Sequence, residues 1–86
     1  MILTNNLSLE PAFVLHTRPY QETSILVDLF TRSYGRLNAI AKGAKRPRSS
    51  LRSVLTPASK LSVSLSGKGE LKTLSSVEII DHFQLN

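Results

Sequence analysis

The segment Lys60–Ser66 constrains the fold more than any other stretch, because Leu61, Val63 and Leu65 alternate strictly with Ser62, Ser64 and Ser66. A period of two puts every apolar side chain on one face of an extended strand and every hydroxyl on the other, whereas a helix would scatter them around its circumference. One buried and one wet face predicts an antiparallel sheet over a single core. The same period recurs in four more segments. Residues 12–18 set Phe13, Leu15 and Thr17 against Val14, His16 and Arg18, and stop at Pro19. Residues 24–31 set Ile25, Val27 and Leu29 against Leu26, Asp28 and Phe30, with Asp28 marking the outer face. Residues 36–42 set Leu37, Ala39 and Ala41 against Arg36, Asn38, Ile40 and Lys42. Small inward residues suit the interior of a narrow barrel. The last segment, from residue 70 to about residue 80, starts with Leu71 and Thr73 in register and continues with Leu74, Val77 and Ile79. That slip of one predicts a β-bulge near residues 73–75.

The connections order these strands. Arg32-Ser33-Tyr34-Gly35 suits a short hairpin closed by a glycine at positive φ. Residues 43–59 are too many for a hairpin; Ser49 and Ser50 offer helix N-caps, and Leu51-Arg52-Ser53-Val54-Leu55 predicts one short helix before Pro57. Three strands, a helix-bearing crossover and two more strands is the order of an all-β, five-stranded Greek-key barrel, the OB-fold. An 86-residue chain makes one such domain with a small core. Residues 11–81 form the barrel in this reading, residues 1–10 an extension or edge strand, and residues 82–86 a tail.

Charge points to a partner. Nine of the eleven Lys and Arg residues lie between Leu29 and Gly69, a span with no Asp or Glu. Such a span cannot neutralise itself and predicts an anionic ligand, nucleic acid first. Lys42, Lys45, Arg46, Arg48 and Arg52 crowd into one loop and are the main candidates for phosphate contact, with Pro47 expected to hold that loop extended and its side chains splayed. Arg36 on the outer face of the third strand, Lys68 in the Gly67-Lys68-Gly69 turn and Lys72 just beyond it complete the cationic set. Tyr20 and Tyr34, both beside turns, are candidates for base stacking. Phe30 either stacks on bases or packs under the helix or the terminal extension.

Catalysis is not expected. There is no cysteine, His16 and His82 are far apart in sequence, and Glu22, Asp28 and Glu70 lie on different segments. Metal-assisted phosphodiester cleavage needs several carboxylates converging on one site. The sequence also lacks the Walker pattern of nucleotide-binding loops. A binding module without metal or cofactor is therefore predicted. The apolar stretches fall far short of the roughly 20 residues that span a bilayer, and no basic n-region leads into an apolar one, so a cytoplasmic protein is expected.

The residues resemble the N-terminal domain family of the bacterial DNA repair protein RecO. The resemblance is carried by Phe13-Val14-Leu15-His16, by Arg18-Pro19-Tyr20 with Glu22-Thr23-Ser24, and by Leu29-Phe30-Thr31. It continues through Gly35-Arg36-Leu37, Ala41-Lys42-Gly43-Ala44, Arg46 with Arg48-Ser49, and the run from Gly67 to Leu74. The resemblance implies an OB-fold that binds single- and double-stranded DNA, anneals complementary strands and works with RecR. It implies, too, help in loading RecA onto strands coated with single-stranded-DNA-binding protein, at the nucleoid during repair. Family members continue into a helical domain, in many of them with a cysteine zinc site, and the contacts of that domain are not carried over. A protein-interaction module whose basic face docks RecR or another acidic surface is the first rival. An RNA-binding OB domain, such as a translation factor, is the second, lowered because the outward aromatic pairs expected of cold-shock-type RNA readers are missing.

Overall fold

The computed structural model describes residues 7–67, 69 and 71–79. Five strands and one short helix follow in the order β1 (Leu7–Tyr20), β2 (Ser24–Thr31), β3 (Gly35–Ala41), α1 (Leu51–Val54), β4 (Lys60–Ser66) and β5 (Leu71–Ile79). The strands close into a barrel in the order β1-β2-β3-β5-β4, with β4 returning to β1 and β3 pairing parallel to β5. This is the expected OB-fold.

Alternation builds the core. Val27 and Leu29 of β2, Ala39 and Ala41 of β3, and Leu61, Val63 and Leu65 of β4 are all buried, with Ala12 and Val14 of β1 and Leu74 of β5. The alanines sit where β3 crosses the interior. From the crossover, Leu55 and Ala44 are buried, and Leu51 and Val54 pack against the same cluster, so the four-residue helix plugs the barrel. At the start of that helix the Ser49 hydroxyl accepts from the Leu51 amide at 3.1 Å, while Ser50, the N-cap residue, makes no side-chain cap.

Two local findings differ from the sequence reading, and one places the expected bulge. First, β1 neither begins at residue 12 nor stops at Pro19: Leu7–Phe13 pairs with β4, and Ala12–Tyr20 with β2. Beyond Phe13 one edge of β1 has no ladder with β4, and an open edge tolerates a proline. Residues 7–10, expected in an extension or edge strand, thus belong to the barrel wall; residues 1–6 and 80–86 lie outside the described residues. Second, the register break in β5 falls at Ser75, since Ser64 pairs with Ser76 but Leu65 with Leu74. The bulge is where it was expected, at the far edge of the predicted range. Leu71 and Thr73 therefore face outward, and Lys72 shares the inner parity with Leu74. Third, the basic loop is not extended. Consecutive turns fold it, with amide-to-carbonyl bonds Ala44 to Ala41, Arg46 to Gly43 and Ser49 to Arg46. Pro47 occupies the second position of the last turn, where its fixed φ favours turning rather than extension.

The β2–β3 turn is braced from two sides. The Thr31 hydroxyl accepts from the Tyr34 amide at 3.1 Å and donates to the Gly35 carbonyl at 2.7 Å. The buried Glu10 carboxylate accepts from the Ser33 amide at 2.6 Å. Gly35 takes φ +72°, the left-handed conformation anticipated from the sequence.

Candidate nucleic-acid interface

The outer face of β1, β2 and β3 is a ruled surface, and the strand register says which residues share each line. Nearest the β2–β3 turn, Lys60 of β4 pairs with Phe13, Phe13 with Phe30, and Phe30 with Arg36. The next line is His16, Asp28, Asn38 and Leu71. The third is Arg18, Leu26, Ile40 and Thr73. His16, Thr17, Arg18, Asp28, Arg36 and Asn38 line a shallow groove of about 330 Å³ on this face.

The basic loop stands at the opposite end from the first line. Its turns carry Lys42, Lys45, Arg46 and Arg48, and α1 just beyond them carries Arg52, all exposed, while the buried Ala44 anchors the loop. The Lys45 amide donates to the Thr23 carbonyl at 2.9 Å, tying the loop to the β1–β2 turn. Half-buried Tyr20 and exposed Glu22 flank that turn, so they border the cations in space although distant from them in sequence. Gly43 at φ +73° starts the loop, with the Arg46 side chain lying 3.8 Å from where a Cβ would stand. The loop is thus shaped by its own turns.

The remaining predicted cations divide. Arg36 is exposed but not free: its guanidinium reaches diagonally across the sheet to Asp28, with Nη2 2.7 Å from Oδ2 and Nε 3.1 Å from Oδ1. This is the one ion pair among the described residues. Lys72 departs from the expected exposed set. It is only 8% exposed, and its ammonium donates to the Gly67 carbonyl at 2.9 Å, capping the turn between β4 and β5. Lys68 lies outside the described residues. Tyr34 is exposed at the tip of the β2–β3 turn, far from the basic loop.

Sequence reasoning missed the partner of Phe30. That ring packs neither under the helix nor under the extension; it is 52% exposed beside Phe13, itself 44% exposed. The Lys60 ammonium lies 5.8 Å from the centre of the Phe13 ring. An outward aromatic pair, taken as lacking, is present. Parity alone put each ring on the outer face, but only the β1–β2 register makes them neighbours.

Asp28 sets the charge balance of this face. The hydrogen bond from Arg36 holds its carboxyl below the ordinary carboxylate range, burial works against this, and the nearby charges of Arg36, His16 and Arg18 add to the lowering. A lowered folded value means that the pair's stabilisation is present above the unfolded carboxylate pKa, about 3.9, and is lost as pH falls through the still lower folded one. The pair is exposed, so its contribution to stability is small. Its effect on an anionic ligand is the sharper readout. Asp28→Asn removes a negative charge and frees Arg36, and is expected to raise affinity for single-stranded DNA about three- to fivefold, one extra phosphate contact. Titrations of both proteins between about pH 5 and pH 8 should keep that ratio constant, since Asp28 stays ionised throughout. A ratio that collapses within this window would contradict the assignment.

Comparison with known proteins identifies the family. The family model described as recombination protein O, N terminal, matches residues 6–83. The DNA repair protein RecO of Ralstonia nicotianae is 55% identical over 74 residues, covering 86% of this chain and 27% of the relative. That of Polynucleobacter asymbioticus is 61% identical over 69 residues, covering 80% of this chain and 28% of the relative. That of Burkholderia pseudomallei is 56% identical over 69 residues, covering 80% and 25% respectively. The chain therefore spans about a quarter of the length of these curated relatives. With a family match across nearly its whole length and the barrel that this family's resemblance implied, the chain belongs to the RecO N-terminal domain family.

Proposed function

We propose that this chain binds DNA, single- and double-stranded and without sequence preference, as the DNA-engaging part of a recombination mediator that supports strand annealing and RecA loading. The observation that carries the reading is the basic loop: four exposed cations folded into turns and pinned to the β1–β2 turn at the edge of the outer sheet face, a fifth, Arg52, in the helix that follows, and no carboxylate paired to any of them among the described residues. Phosphate neutralisation supplies affinity that is blind to sequence. Screening one strand's charge lets a complementary strand approach. Nothing in this role requires chemistry, and the chain acts by binding rather than as an enzyme. RecR, and through the longer protein the single-stranded-DNA-binding protein and RecA, are the proposed partners, in the cytoplasm at the nucleoid.

Amide chemical-shift mapping tests the reading. An added oligonucleotide is expected to move the amides of residues 42–52 and of the outer face of β1–β3, while leaving those facing the core unmoved. RecR added separately should perturb a different set. If DNA leaves the loop amides in place while RecR moves them, the basic face is a protein-docking surface and the DNA reading is wrong.

A further inference from the structure

The line Lys60, Phe13, Phe30, Arg36 has no role in phosphate binding by the basic loop, yet all four side chains are exposed and consecutive across four strands. Strands lie about 4.8 Å apart, so the line is roughly 14 Å long. It begins and ends in a cation, with two rings between. Beside it opens a cleft of about 470 Å³, lined by Pro11, Phe13, Phe30, Arg32 and Lys60, which adds a further cation at the rim. We propose that the Phe13–Phe30 pair is a stacking platform for unpaired nucleobases, with Lys60 and Arg32 receiving the flanking phosphates, and that it makes the domain distinguish single-stranded from duplex DNA. The inference rests on the DNA-binding reading above.

Two arguments favour bases over a protein partner. Toward the basic loop the apolar strip ends at once, because the next line is His16, Asp28 and Asn38, and away from it the outer face of β1 adds only half-buried Pro11 and exposed Leu9. A stable protein interface needs on the order of 1,000 Å² with an apolar centre, which two rings and this narrow strip of β1 do not supply. The placing of rings beside cations, by contrast, matches a single strand, in which each base is flanked by phosphates, and neither Lys60 nor Arg32 has an ion-pair partner among the described residues. Duplex DNA keeps its bases stacked on one another and presents only backbone and groove edges to a surface of this kind. The basic loop then holds either form, and the aromatic line only the single strand.

The line stands six residues along β2 from Ser24, where the basic end begins, roughly 20 Å at strand rise. A strand bound at both sites therefore crosses the intervening outer face.

The test uses the 86-residue chain, an oligothymidylate of about twelve nucleotides with 2-aminopurine near its middle, the same strand with abasic sites at those positions, and a duplex of equal length. Phe13→Leu/Phe30→Leu keeps apolar side chains and removes both rings. It is expected to weaken single-strand binding about tenfold or more, to abolish the 2-aminopurine quenching on binding, and to leave duplex affinity within about twofold. The unaltered chain should bind the abasic strand as weakly as the double variant binds the intact one. Unchanged single-strand affinity in the variant overturns the proposal, and so does an equal loss on single strand and duplex. If in the first case the loop variant Lys45→Ala/Arg46→Ala/Arg48→Ala still weakens binding, the DNA-binding reading survives without the platform; if the unaltered chain binds neither form, both fall. A dimer that sedimentation shows dissociating in the Phe variant, with DNA binding intact, would make the line a contact between copies and overturn the proposal as well.

Discussion

Replacing Lys45, Arg46 and Arg48 together with alanine is expected to lower affinity for single-stranded DNA about a hundredfold at about 0.1 M salt, for every sequence alike. Each phosphate contact to a single strand contributes about −0.7 to the log-log salt slope, which at that concentration corresponds to about fivefold in affinity, and three contacts multiply. The unaltered chain, with four or five phosphates engaged, should show a slope of about −3 to −3.5, and the triple variant a slope nearer −1. The thermal midpoint should hardly move, because all three side chains are exposed and the turns they sit in are held by backbone hydrogen bonds and the buried Ala44. Fluorescence anisotropy across a salt series measures both numbers. A slope near zero in the unaltered chain would dispose of electrostatic binding altogether.

The largest stability effect is expected at Leu29. Its side chain is fully buried at the centre of β2, amid the residues that line the barrel. Leu29→Ala removes apolar contact and leaves a void that a closed barrel cannot collapse, at a cost of about 3–5 kcal/mol. A domain of 86 residues has roughly 4–13 kcal/mol to lose at 0.05–0.15 kcal/mol per residue. The variant should therefore be marginal or unfolded at room temperature, losing DNA binding with its fold. Urea denaturation followed by far-ultraviolet circular dichroism will show this as a large fall in midpoint. An unfolding free energy within about 1 kcal/mol of that of the unaltered chain would mean that the barrel interior is far looser than its packing indicates.

These two predictions draw on parts of the molecule that were unequally legible in the sequence. Leu29 was readable because β2 alternates cleanly, and the bounds of β2 and β4 follow from alternation alone. The β5 bulge was visible as a broken period and placed within residues 73–75, but which of the three it occupies was not legible, since Thr73, Leu74 and Ser75 each fit either face locally. That one-residue ambiguity decides the fate of Lys72, which the pairing of Leu65 with Leu74 turns inward. Pro47 misled because proline restricts φ in extended chains and in turns alike; the deciding contacts, such as Lys45 to Thr23, join residues far apart in sequence. The aromatic line was hidden for the same reason. Phe13, Phe30, Arg36 and Lys60 are unremarkable one by one, and only register across four strands puts them in a row.

The pairing of β1 with β4 also has a consequence for how this protein is made. Translation finishes β1 at Tyr20, but the strand that covers its second edge starts only at Lys60, about forty residues later. At about 5–20 residues per second the ribosome needs about 2–8 s to supply it. Whatever part of β1, β2 and β3 has left the ribosome can pair before β4 arrives, since hairpins close in microseconds. In the interval the nascent chain shows a bare strand edge at residues 7–13 and an inner sheet face still missing Leu61, Val63 and Leu65. Sheet edges of this sort recruit other strands. The acid-free charge is then already mostly synthesised, and its repulsion between neighbouring nascent chains works against their association until the barrel shuts.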